Sequence, residues 1–121
     1  MANDFKRYTK PSVGTSTGAS ANALYTVPST GGTAMESIVI GISLSNKSNA
    51  GITASVFLDN YLGSGDVYIV KGASVPAGST LEVMAGNKLV VQGNGTANDV
   101  VRVEAGTASA LDATISVLED V

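Results

Sequence analysis

Cysteine, histidine and tryptophan are all absent from this chain of 121 residues. Without cysteine, no disulfide framework staples the fold and no thiol can act as a nucleophile. That composition fits folding in a reducing cytoplasm. Without histidine, the commonest general base and the commonest transition-metal ligand are missing. Zinc and copper sites lose the ligands they usually take. A serine nucleophile would have no imidazole beside it, and no Ser-x-x-Lys spacing supplies lysine in its place. Charged residues make up only 14% of the chain, against the roughly one quarter usual for globular domains. No apolar run approaches the length of a membrane-crossing helix. The opening Met1-Ala2-Asn3-Asp4-Phe5-Lys6-Arg7 lacks the apolar stretch of a signal peptide.

What is present is alternation. In residues 35–46, Ile38, Ile40, Ile42 and Leu44 recur at every second position, so the period of a pleated strand puts all four on one face. Ile52, Ala54, Val56 and Leu58 repeat the pattern, after the turn-forming Asn46-Lys47-Ser48-Asn49-Ala50-Gly51. The two stretches read as an antiparallel hairpin at the centre of the protein. Shorter strands follow from 23–28, 67–71, 79–84, 88–92 and 99–104. In the last of these Val101 and Val103 point inward. Pro76-Ala77-Gly78 is a tight-turn sequence, and Ala85-Gly86-Asn87 signals a further hairpin. Leu111, Ala113, Ile115 and Val117 mark the final strand, closed by Glu119 and Asp120. No window holds a 3.6-residue period. The expected fold is all-β: an antiparallel β-sandwich, immunoglobulin-like or jelly-roll, of eight or nine short strands with no long helix.

Charge divides the chain. Residues 1–10 carry Lys6, Arg7 and Lys10 against Asp4 alone, whereas residues 11–121 carry nine acids against four cations. The expected organisation is a basic N-terminal arm over 1–11, limited by Pro11, and one sandwich domain over 12–121. Phe5 and Tyr8 add aromatic surface to the arm. Phe5, Lys6, Arg7, Tyr8 and Lys10 are therefore the candidate partner-binding residues, in an arm that orders on contact. The charge balance does not suit duplex DNA. Asp59, Asp66, Glu82, Asp99, Glu104 and Asp112 fall at turns or outward strand positions, as solvated charges that discourage sheet edges from sticking. The loop from Gly93 to Asp99 lacks the acids of an EF-hand and the Gly-Lys-Ser/Thr of a P-loop. No catalytic, cofactor or metal residue is expected. Glycan binding would rest on Tyr61, Tyr25 and Tyr68 as exposed aromatics.

Residues 1–10, Leu24-Tyr25-Thr26-Val27-Pro28, residues 39–47, Val67-Tyr68-Ile69-Val70-Lys71 and Val75-Pro76-Ala77-Gly78-Ser79 together resemble short virion structural proteins of tailed bacteriophages, those of marine bacteria and cyanophages in particular. The resemblance implies a non-enzymatic β-sandwich on the virion, assembled in the host cytoplasm without a cofactor. It implies a capsid decoration (cement) protein, with a tail or neck protein as the alternative. Its partners would be further copies of itself in a homo-oligomer such as a trimer, and the major capsid protein or tail proteins, without nucleic acid or membrane. A host-glycan-binding module is the reading from a different class.

Overall fold

The computed structural model describes residues 3–18, 21–28, 35–60, 66–84, 88–94 and 97–120. The strands are β1 (Asn3–Lys10), β2 (Asn22–Thr26), β3 (Met35–Asn46), β4 (Ile52–Asp59), β5 (Asp66–Val75), β6 (Thr80–Glu82), β7 (Leu89–Gly93), β8 (Val100–Ala105) and β9 (Leu111–Asp120). They form two antiparallel sheets. Sheet A runs β1-β9-β3, and both β6 and β7 pair with β3; sheet B runs β2-β8-β4-β5. The pairs β4–β5, β3–β6/β7, β2–β8 and β1–β9 are nested like the arms of one long hairpin. Rolling that hairpin lays β9 beside β3 and β8 beside β4. This is jelly-roll connectivity, the second of the two sandwich types expected.

The inner faces supply the core. Ile42, Leu44, Leu111, Ile115 and Val117 of sheet A, and Val56, Val101 and Val103 of sheet B, are fully buried. Alternation explains the long strands. In β9, Leu111, Ala113, Ile115 and Val117 face in, while Asp112, Thr114 and Ser116 are only partly buried or exposed. Gly78 takes φ +67 in the Pro-Ala-Gly turn, a conformation open to a residue without Cβ.

Two expected hairpins do not form. β3 and β4 lie in different sheets, because Asn46 turns the chain across the sandwich. Its buried amide donates to the carbonyls of Ala50 (2.8 Å) and Val75 (2.9 Å) and accepts from the Ser48 N–H (2.9 Å) and hydroxyl (2.7 Å). All of its hydrogen-bonding capacity goes into the corner, which local turn chemistry alone does not reveal. Likewise β6 and β7 do not pair with each other; each pairs with a different half of β3. The turn read at 85–87, and the one read at 29–33, lie outside the described residues.

The expected face of β3 holds only for its second half. A register shift between Val39 and Gly41 marks a bulge at Ile40. Such a bulge sets two residues against one and moves the following side chains to the other face. Val39 and Ser37 therefore point inward, and Ile40 is 39% exposed. The segment expected as an arm is strand β1, paired with β9 along its whole length. At its end the chain leaves sheet A through Ser12 (φ +52). The Ser12 N–H donates to Asp112 Oδ1 (2.8 Å), and Lys47 pairs with the same oxygen (2.9 Å). Those two contacts, Lys47 first, hold the Asp112 carboxyl below the usual range.

Chemical and thermal denaturation of variants test these assignments. Ile42→Ala should lose about 2–5 kcal/mol through the cavity it leaves. Val39→Asp should fail to fold, since it buries an unpaired charge, whereas Ile40→Asp should cost no more than about 1 kcal/mol; equal damage from the two would disprove the bulge. Deleting residues 1–10 should lower the melting temperature, because it strips β9 of a ladder; an unchanged melt would show β1 to be dispensable.

Candidate interaction surface

A strand's two-residue period divides the five basic and aromatic residues of β1. Asp4, Lys6, Tyr8 and Lys10 stand opposite Glu119, Val117, Ile115 and Ala113, all inward positions of β9. Phe5, Arg7 and Thr9 stand opposite Leu118, Ser116 and Thr114, on the outer face. The structure therefore separates the candidates into Phe5 and Arg7 on one side and Lys6, Tyr8 and Lys10 on the other. Charges turned inward on an edge strand hinder edge-to-edge pairing.

The outer face of sheet A carries an apolar stripe. The ladders align Phe5, Leu118, Ile38 and Val90 straight across β1, β9, β3 and β7. Phe5 is 77% and Val90 58% exposed, and Ile40 at the bulge extends the patch. Beyond it the face is small and polar. Thr9, Thr114, Ser43 and Glu82 form one row, and Asp112, Ser45 and Thr80 another. Ser43 donates to Glu82 (3.1 Å), and Ser45 and Thr80 share a hydrogen bond (2.9 Å). Sequence reasoning placed Ile38 in the core and missed Leu118 and Val90. The apolar pairs Val90-Val91 and Val117-Leu118 do not say which member faces out until the register is known.

Sheet B covers its own outward aromatic. Phe57 is fully buried although it opposes the outward Arg102 in the ladder. Tyr68 packs on it at 5.0 Å between ring centroids, and Lys71 lies 4.7 Å above the Tyr68 ring. Arg102 bonds to Asp59 (2.9 Å) and to the Ala21 carbonyl (2.9 Å), tying β8 to β4 and to the start of β2.

One polar cluster lies inside the sandwich, at the seam between β1 and β2. Tyr25 of sheet B donates to Glu119 Oε2 (2.7 Å), and Tyr8 of sheet A donates to the same oxygen (3.0 Å). With its proton so committed, the Tyr25 oxygen accepts from Ser37 (2.9 Å). The two rings meet at 5.1 Å. Tyr25, Ser37 and Glu119 are each at most 3% exposed. Burial first, then the Glu119 contact, pushes the Tyr25 hydroxyl well above its ordinary value of 10.0. Glu119, read from sequence only as a charge that closes the chain, is thus a buried acceptor. Asp99, read as outward, is also buried; it accepts the Gln92 N–H (2.9 Å). Of the tyrosines considered for glycans, Tyr25 is internal and Tyr61 lies outside the described residues.

Shallow grooves lie at the opposite end of the sandwich. One of 380 Å³ is lined by Ile52, Thr53, Val75, Pro76 and Gly106 among others, with no aromatic or charged side chain. Among the described residues no group of three or more His, Cys, Asp or Glu could hold a metal ion. No family model, curated protein or solved structure matches this chain.

The seam makes a prediction for alkaline pH. The folded-state pKa of Tyr25 is raised, so the stability tied to its protonated form is complete below the unfolded value near 10 and is lost as pH rises above it. Tyr25→Phe should flatten the decline in stability above about pH 10. At neutral pH it should cost about 1–3 kcal/mol, by leaving Ser37 and Glu119 short of a partner. Identical alkaline slopes for both proteins, measured by urea denaturation, would rule this out.

Proposed function

We propose that this chain is a non-enzymatic structural protein of a tailed-phage particle, acting as a capsid decoration (cement) protein. The observation that carries the reading is the outer face of sheet A. It is a broad, weakly charged surface of Ser, Thr and Gly crossed by an exposed apolar stripe. Contiguous exposed apolar surface on a small domain marks a contact with another macromolecule. A decoration protein works by such contacts and needs no pocket, cofactor or ionisable nucleophile. The resemblance of residues 1–10, 24–28 and 39–47 to phage virion proteins supplies the kind of particle. The jelly-roll connectivity is compatible with shell proteins and with lectins alike, so it does not decide between them. The glycan reading draws no support from Tyr68, whose ring already carries the Lys71 ammonium.

The test is to add purified protein to phage particles that lack it and to count bound copies by quantitative mass spectrometry. Saturable binding at a copy number that scales with the major capsid protein is the expected result. Binding at the copy number of a tail or neck ring would move the protein to that part of the virion. No binding to any part of the particle would overturn the reading.

A further inference from the structure

Every other strand places a residue in the hydrophobic core or against it; β1 places none. None of its described side chains is buried. It is held instead by its ladder, in which all of its residues pair with β9, and by Tyr8, whose hydroxyl meets Glu119 and whose ring lies on Tyr25. A strand held in this way can leave without opening a cavity. The body from Val13 onward keeps its core and exposes one bare edge, along β9. We propose that β1 is an exchanged strand: it leaves its own β9 and pairs, in the same register, with β9 of a second copy of this chain, which gives its β1 in return. The inference goes beyond the decoration role and does not depend on it.

The hinge is on the chain at Pro11 and Ser12. Ser12 sits in the left-handed region (φ +52), which its Cβ disfavours. One residue later the Val13 N–H donates to the Leu111 carbonyl (2.8 Å), and the Val13 side chain is fully buried. Bending is therefore confined to two residues. The closed turn is latched from outside, where Asp112 Oδ1 accepts the Ser12 N–H and Lys47 donates to Ser12 Oγ (2.8 Å). These groups are exposed to water, which replaces such contacts at little cost. Short hinges under backbone strain favour exchange of the element they carry.

Exchange keeps the ladder bonds and the Tyr8 contacts, now made across two copies. What changes is the hinge, which extends and loses its left-handed residue. Against that stands the lost freedom of two molecules joined, so the balance shifts with concentration. No further apolar area is required, because the exchanged ladders are themselves the interface. Charge favours capture as well. Residues 1–10 hold three cations against one acid, and the rest of the chain nine acids against four cations, so a released strand is drawn to a neighbouring body. From Val13 back to Lys10 is three residue steps, about 10 Å when extended. The two copies therefore meet at the ends that carry Lys47 and Asp112.

The experiment uses the full chain, which has no cysteine of its own. Thr9 and Thr114 stand opposite each other on the outer face, at a spacing that a disulfide spans. The single variants Thr9→Cys and Thr114→Cys are mixed, refolded together from urea over a range of concentrations and oxidised. The mixed disulfide is then quantified by mass, with circular dichroism to establish folding. Neither chain can link to itself. A mixture of Thr9→Cys with Ser43→Cys, on the same face but one strand further away, measures chance collision. The first mixture should exceed this control, by a margin that grows with concentration. Adding Ser12→Gly to both chains should lower the excess about fivefold, because glycine takes the left-handed turn freely. Ser12→Pro should raise it at least about fivefold, because a φ near −65° forbids the closed turn. Ser12→Gly keeps the test decisive if Ser12→Pro does not fold. No excess over the control at any concentration, or an excess that Ser12→Gly leaves unchanged, would overturn the proposal. The readout uses no phage particle, so its failure leaves the decoration role standing, and a failure to bind particles leaves strand exchange standing.

Discussion

Asn46 ends β3 with its amide bonded to the carbonyls of Ala50 and Val75 and to both polar groups of Ser48. Inside a low-dielectric core those bonds are costly to leave unmade, so the corner has one geometry. The rest of the fold depends on that corner. Because β3 cannot turn back beside itself, its edges are left for β9 on one side and for β6 and β7 on the other. Because β4 starts in the opposite sheet, β8 and β5 flank it there. The Lys47–Asp112 pair and the Val13–Leu111 backbone bond fasten the same end from outside.

At the other end the two sheets are closed by Tyr25, Tyr8, Ser37 and Glu119. The seam is polar because β1 brings Asp4, Lys6, Tyr8 and Lys10 to the inner side of sheet A, where more apolar residues would have been consistent with burial alone. The carboxylate of Glu119 finds enough hydroxyl donors there to remain inside. The bulge at Ile40 has the complementary effect on the outer side. By moving Val39 inward it leaves Ile38 and Ile40 outside, in line with the apolar residues of β1, β9 and β7. One extra residue in one strand thus allows a well-packed interior and an apolar exterior in the same sheet.

How much of this was legible in the sequence depended on range. The inward set Leu111, Ala113, Ile115 and Val117 and the pair Val101 and Val103 follow from local alternation. So do the absence of helix from the described residues and the turn at Gly78. The register shift at Ile40 left no mark, because a bulge keeps the same residue types and changes only their pairing. The hairpin expected from the turn after Leu44 failed because a partner of Asn46 is Val75, far along the chain. Glu119 read as an ordinary terminal charge for the same reason: its partners are Tyr25 and Tyr8, near the other end. The sequence grouped Phe5, Lys6, Arg7, Tyr8 and Lys10 as candidate contact residues, but it could not place Phe5 and Arg7 on a different face from Lys6, Tyr8 and Lys10 without β9 beside them.

The nesting of the ladders also sets an order of events in folding. The β4–β5 ladder joins neighbours in sequence, whereas β1–β9 joins Asn3 to Asp120 across nearly the whole chain. Loop-closure entropy makes the inner pair the least costly to form and the outer pair the most. A chain that zips from the inside outward keeps β9 waiting, with an open edge on the side that β1 will occupy. Such an edge is a template for any other extended strand. The slow closure of β1 onto β9 is therefore the stage at which a nascent chain is most exposed to mispairing with its neighbours.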